Sequence, residues 1–192
     1  MGEEPIAEVE SFKYLGSIVE KKGGSNKYAM TRIGKARGIF HMLKNIWKSR
    51  ELTVKTKLMI FNSNIKTVLL YGCETWRTTR KTQQKIQTFV NRCLRTIFRI
   101  NWFDKIPNEE LWKRADEEPI GKQILRKKWS WIGHTLRKDD SNLTKQALTW
   151  NPQGKRKRGR PRNSWKRDTE IEMKKANLCW TDVNRKPNTP GQ

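Results

Sequence analysis

Two histidines (His41, His134), three cysteines (Cys73, Cys93, Cys179) and the pair Asp139-Asp140 are the residues whose types suit metal binding or acid–base chemistry. Their spacing does not. Structural zinc sites pair cysteines a few residues apart, whereas these three are widely separated and odd in number. They read as free thiols in a reducing compartment. His134, inside Trp131-Ile132-Gly133-His134, reads as a packed or capping side chain. Asp139-Asp140 has Lys, Ser and Asn for neighbours and reads as a turn that ends a helix. There is no Gly-rich phosphate loop, no nucleophile elbow and no carboxylate pair at a strand end. The expectation is a chain that catalyses nothing alone and needs no metal or cofactor.

Binding chemistry is better represented. Lysine and arginine number 42 against 19 acidic residues, a formal charge of +23. Such an excess fits a polyanionic partner, and nucleic acid is the commonest. Nine tryptophans are spread through this basic background. Most read as core or boundary anchors. Trp129, next to Arg126, Lys127 and Lys128, is the best candidate for stacking on a base while its neighbours hold phosphates. The sharpest local signal is Gly154 to Arg162, GKRKRGRPR, with Lys155, Arg156, Lys157, Arg158, Arg160 and Arg162. Arg158-Gly159-Arg160-Pro161 matches the core of an AT-hook, whose arginines enter a narrow A·T-rich minor groove. Lys155 to Arg158 equally fits a nuclear import signal or a plain phosphate clamp. Sequence-independent phosphate binding is the favoured reading.

The elements that carry these residues read as mostly helical. The organising stretch is Leu52 to Trp76. Leu58, Phe61, Ile65, Val68 and Leu69 form one apolar stripe. Lys55, Lys57 and Lys66 mostly fall away from it. Val68 to Tyr71 makes its end apolar almost all round, hence buried, with Gly72 as C-cap. Before it, Ser25 or Asn26 opens a helix over about 26–48, with Ile33, Ala36, Phe40, Leu43 and Trp47 on the apolar face. Its basic remainder includes Arg32, Lys35, Arg37 and Lys44. After a polar break from Arg77 to Lys81, a third helix covers about 82–99. There Ile86, Phe89, Val90, Cys93, Leu94 and Ile97 face inward, and Lys85, Arg92, Arg95 and Arg99 lie mainly off that face. Three such helices make a small bundle.

Around the bundle the signals are shorter. Ser11 to Val19 is rich in β-formers, one strand or two very short ones with little to pair with. Asn108 caps a short helix with Glu109 and Glu110 in its first turn. Pro119 opens a helix to about Lys138, with Ile120, Ile124, Trp131, Ile132 and Leu136 for burial. Residues 139–153 read as a loop with one helical turn. Asn163 caps a weakly apolar last helix over 164–178. The basic segment reads as extended and mobile, and the chain from Asn184 as disordered. The natural blocks of the chain are 1–24, 25–138 and 139–192. No apolar run approaches the ~20 residues of a membrane span, and no signal peptide opens the chain.

Several ordered motifs carry a family resemblance. FKYLGS from Phe12, AR-x-x-F from Ala36, LLYGCETW from Leu69, NRCLR from Asn91, WIGH-x-L-R from Trp131 and P-x-GKRKRGRPR-x-x-W from Pro152 together resemble the C-terminal part of non-LTR (LINE) retrotransposon reverse transcriptases. RTE- or CR1-like elements, which carry an endonuclease, are the most similar. The resemblance implies a palm and primer-grip remnant at residues 1–24, a helical thumb over 25–100, further helices over 101–138 and a basic C-terminal extension. It also implies partners: an RNA–DNA hybrid or duplex DNA, held mainly by its backbone, with no membrane and a monomer or an oligomer of undefined size. The catalytic Tyr-x-Asp-Asp-like segment of the family, expected upstream of FKYLGS, has no match here, nor has the endonuclease. The ending after Trp180 departs as well. The chain thus reads as a nucleic-acid-binding fragment of an RNA-directed DNA polymerase, intracellular and nuclear or cytoplasmic. The alternatives are an independent DNA-binding or architectural module using the AT-hook-like tail, and a non-functional translated relic.

Overall fold

The computed structural model describes residues 9–14, 17–20, 25–101, 103–150, 164–175 and 177. The fold is mainly helical. It forms two compact units, one built from residues 1–72 and 78–122, the other from 73–77 and 123–192.

In the first unit, β1 (Ser11–Tyr14) and β2 (Ser17–Glu20) pair antiparallel, Phe12 opposite Val19. The strands expected to lack partners therefore pair with each other. Helix α1 (Ser25–Met42) buries Ala29, Ile33 and Ala36. The single helix expected to residue 48 breaks at Leu43 (φ −86°, ψ 18°) and resumes as α2 (Lys44–Lys48). The break lets Trp47 fold back, with its Nε1 donating to the Phe40 carbonyl at 2.7 Å. The two rings stack at 4.8 Å and 11°. On an unbroken helix seven residues separate by about 10 Å along the axis, too far for stacking.

Thr53 caps the central helix, accepting from the Thr56 amide at 3.1 Å. The helix runs as α3 (Val54–Ile60), a π-helical turn (Phe61–Lys66) and α4 (Thr67–Leu69). Phe61, Ile65 and Leu69 are fully buried. Tyr71, expected inside, is half exposed. Helix α4 has ended by then, and Gly72 turns the chain at φ 68°, where a Cβ would meet the Tyr28 hydroxyl at 3.0 Å. Arg32, expected on the outer basic face of α1, is buried instead, 4.4 Å over the Tyr71 ring and donating to the Tyr28 hydroxyl at 2.8 Å.

Two more cations serve the end of α2. Lys57 is only 3% exposed and donates to the carbonyls of Trp47 (3.2 Å) and Ser49 (2.6 Å). Arg99 donates to those of Lys48 and Ser49. Both thereby satisfy the C-terminal end of α2, where positive charge is favourable. Burial first, then the Arg99 charge, holds the Lys57 ammonium below the usual lysine pKa. Lys66 pairs with Glu117.

Helix α5 (Arg80–Ile97) buries Ile86, Phe89, Val90, Cys93, Leu94 and Ile97, the full stripe expected of it. It starts earlier than its apolar pattern, because Thr79 accepts from the Thr82 amide at 3.2 Å. It packs against α1 and α3, completing the three-helix bundle. Helix α6 (Asn108–Ala115) follows. Pro107, not Asn108, holds its cap position, and the Asn108 side chain instead accepts from Arg95.

Helix α7 (Ile120–Leu136) begins in the first unit and continues into the second. There Ile132 and Leu136 join Leu148 of α8 (Leu143–Thr149) in a small core, with Trp129, Trp131 and Trp165 packed on it. Residues 139–153 thus hold a capped helix rather than one turn. Asp139 accepts from the Ser141 hydroxyl and amide, which lower its pKa. His134 is exposed rather than packed. Helix α9 (Trp165–Lys175) buries Thr169 and Met173 despite its weak pattern. Ser164 accepts from the Arg167 amide at its start, while Asn163 lies outside the described residues. No helix among the described residues is long and apolar enough to cross a membrane.

Candidate nucleic-acid interface

Facing sides of α1 and α5 leave an open groove of about 590 Å³ in the first unit. Its floor is apolar: Ile33 and Phe40 from α1, Phe89 and Cys93 from α5. Its rim is cationic. Arg37 stands on the α1 side, and Lys81, Lys85 and Arg92 stand on the α5 side, all exposed. Among the described residues no acidic side chain lines it. The pattern follows from the α5 sequence. Positions 81, 85 and 92 fall on one side of a helix whose other side carries the apolar stripe. At 1.5 Å per residue the α5 cations span about 16 Å, the reach of several phosphates along a duplex.

The floor is chemically quiet. Burial pushes the Cys93 thiol up to about 12, only partly opposed by the Arg37 charge. Cys73 is likewise raised to about 12 by burial, with Glu74 adding to the effect. Neither thiol is a nucleophile at neutral pH. Among the described residues no group of histidine, cysteine and acidic side chains could hold a metal ion.

The residues expected to bind nucleic acid divide into four sets. Arg37 and Arg92, far apart in sequence, meet in the groove. Lys35, Lys44, Arg126 and Lys127 are exposed elsewhere on their helices. Three others have internal work. Arg95 donates to the Ile106 carbonyl at 2.8 Å and to Asn108. Lys128 is 5% exposed, paired with Glu172 at 2.9 Å and 5.2 Å over the Trp165 ring. Trp129, read from sequence as the best stacking residue, packs on the second unit's core. Lys155, Arg156, Lys157, Arg158, Arg160 and Arg162 lie outside the described residues. Sequence reading missed Lys81, which looked like part of a polar break. The Thr79-x-x-Thr82 cap was the signal that places it on α5.

Residues 39–71 match the model of a domain of unknown function (DUF6451). The match runs from the end of α1 through the central helix and stops before α5, so it holds only Phe40 of the groove. No curated protein and no solved structure matches the chain.

Proposed function

We propose that this chain is a nucleic-acid-binding, thumb-like piece of a non-LTR retrotransposon reverse transcriptase, and that the α1–α5 groove grips the backbone of a duplex or RNA–DNA hybrid. One observation carries the reading: among the described residues, four exposed cations and no acidic side chain border a single groove. The apolar floor suits sugar faces, and the rim suits phosphates. The motifs that carry the resemblance support it. AR-x-x-F supplies Arg37 and Phe40, and NRCLR supplies Arg92 and Cys93, all four in the groove. The chain's own part is positioning, since its 192 residues contain no Tyr-x-Asp-Asp-like segment. Nuclear residence belongs to the same reading, with Lys155 to Arg158 as import signal.

The test is salt dependence. Each phosphate neutralised on duplex DNA contributes about 0.9 to the slope of log affinity against log salt. Arg37→Gln, Lys85→Gln and Arg92→Gln combined should flatten the slope by roughly two to three and leave the thermal melt unchanged. An unaltered slope would remove the groove from the interface. Magnesium-dependent primer extension by the homogeneous chain would refute a purely positioning role.

A further inference from the structure

We infer a second recognition site, in the second unit: an aromatic pocket that takes an unpaired nucleobase from a single strand. The inference rests on the nucleic-acid reading but concerns different residues. The pocket, about 450 Å³, is walled by Trp131, Leu148, Trp150 and Trp165, with Lys166 also lining it. That is a size suited to a small planar group. Two of its walls are fixed. Trp165 donates from Nε1 to the Glu74 carbonyl at 3.0 Å, and Trp131 meets it edge to face at 6.0 Å and 84°. The third is open: Trp150 is 64% exposed, an unusual position for so large an apolar ring.

Charge selects the occupant. Perpendicular tryptophans also suit a quaternary ammonium, but here Lys166 lines the pocket and Lys128 already lies against the Trp165 ring. Among the described residues no acidic side chain lines the pocket. A cation is repelled, and a flat ring on an anionic backbone is favoured. The sequence next to the pocket has the same charge preference. Trp150 and Ser164, which flank residues 151–163, both line the pocket. The sequence between them carries Lys155, Arg156, Lys157, Arg158, Arg160 and Arg162 and no carboxylate. Base–aromatic stacking accepts any base.

The experiment compares the full chain with Trp150→Ala and Trp150→Phe. Binding is measured at one salt concentration to a short single-stranded DNA, to an abasic strand of the same length, and to a duplex. Trp150→Ala should weaken binding to the base-carrying strand about tenfold. It should leave the abasic strand, the duplex and the helical circular dichroism unchanged, and Trp150→Phe should restore most of the loss. Equal affinity of native and Trp150→Ala chains for the base-carrying strand overturns the pocket. So does an equal loss on the abasic strand, which would indicate a backbone or folding effect. In both cases duplex binding that responds to Arg37 and Arg92 leaves the groove reading standing. A native chain that binds none of the three probes overturns both readings together.

Discussion

Helices α5 and α7 are nearly equal in length, 18 and 17 residues, and both carry basic clusters, yet they use them in opposite ways. On α5 the cations Lys81, Lys85 and Arg92 are spaced so that all stay on the wet side. On α7 the cluster Arg126-Lys127-Lys128-Trp129 is contiguous. Consecutive residues turn by about 100° each, so four in a row sweep the whole circumference. At least one of them must point at the core. It is Lys128, which takes Glu172 as counter-ion and Trp165 as a surface for its ammonium group. A dense basic run on a helix therefore advertises less binding surface than a sparse one in phase with the helical repeat.

The comparison breaks first at its core. Leu94→Ala on α5 should cost ~2–5 kcal/mol, as for other fully buried leucines. Arg92→Ala, two residues earlier, should stay within about 0.5 kcal/mol. Urea unfolding midpoints decide this, and equal costs would mean that the two faces of α5 are misassigned.

On α7 the contrast should fall among the cations themselves. Lys128→Ala leaves Glu172 without its partner and exposes the Trp165 face, at about 1–3 kcal/mol. Lys127→Ala should be near neutral. Lys128→Met should recover part of the loss by keeping the apolar stem. If Lys127 proves the costlier residue, the phase argument fails.

A smaller effect appears at high pH. The Cys73 and Cys93 thiols sit near 12 in the fold against an ordinary 9.0. Between those values the folded chain holds protons that the unfolded chain releases. Stability from each thiol is therefore intact below pH 9 and declines as pH rises from 9 toward 12. Lys57 runs the other way: its folded pKa is lowered, so its contribution grows as pH rises toward 10.5. The clean measurement is Cys93→Ala, which should lose less stability than the native chain between pH 8 and pH 10. An identical decline would place the titration elsewhere.

The smallest effect concerns the tail. Arg158→Lys with Arg160→Lys keeps the charge, so phosphate holding should change less than about twofold. A minor-groove reader would instead lose its A-tract preference, because lysine lacks the planar fork. Competition between A-tract and G·C duplexes separates the two. A strong preference abolished by the double change would put the independent minor-groove module ahead.

The bundle was legible because its signals are periodic. The α5 stripe and the Phe61, Ile65 and Leu69 ridge follow directly from residue spacing. Cations were harder to place. Arg32, Lys57, Arg95 and Lys128 look like surface residues in the sequence, and each has an internal partner that residue spacing does not show: the Tyr71 ring, the Ser49 carbonyl, the Ile106 carbonyl and the Glu172 carboxylate. The groove was half visible. Arg37 and Arg92 could be named, but only packing of α1 on α5 brings them together. Helix α9 was undervalued because Trp165, Thr169 and Met173 make a narrow seam rather than a broad stripe.

The wide turn at Phe61–Lys66 has a consequence for insertions and deletions. A π-helical turn holds one residue more than an ordinary turn. Its exposed Asn62, Ser63 and Asn64 lie between the buried Phe61 and Ile65, and Asn64 and Ser63 donate to the Ile60 carbonyl. Remove any one of the three, and Phe61 is followed by apolar residues three, seven and eight places on, the spacing of a regular α-helix. Loss of a single codon there should leave Ile65, Leu69 and Leu70 facing the core. The same loss at exposed Thr88 on α5 would rotate Phe89 to Ile97 by about 100° and carry them out of it.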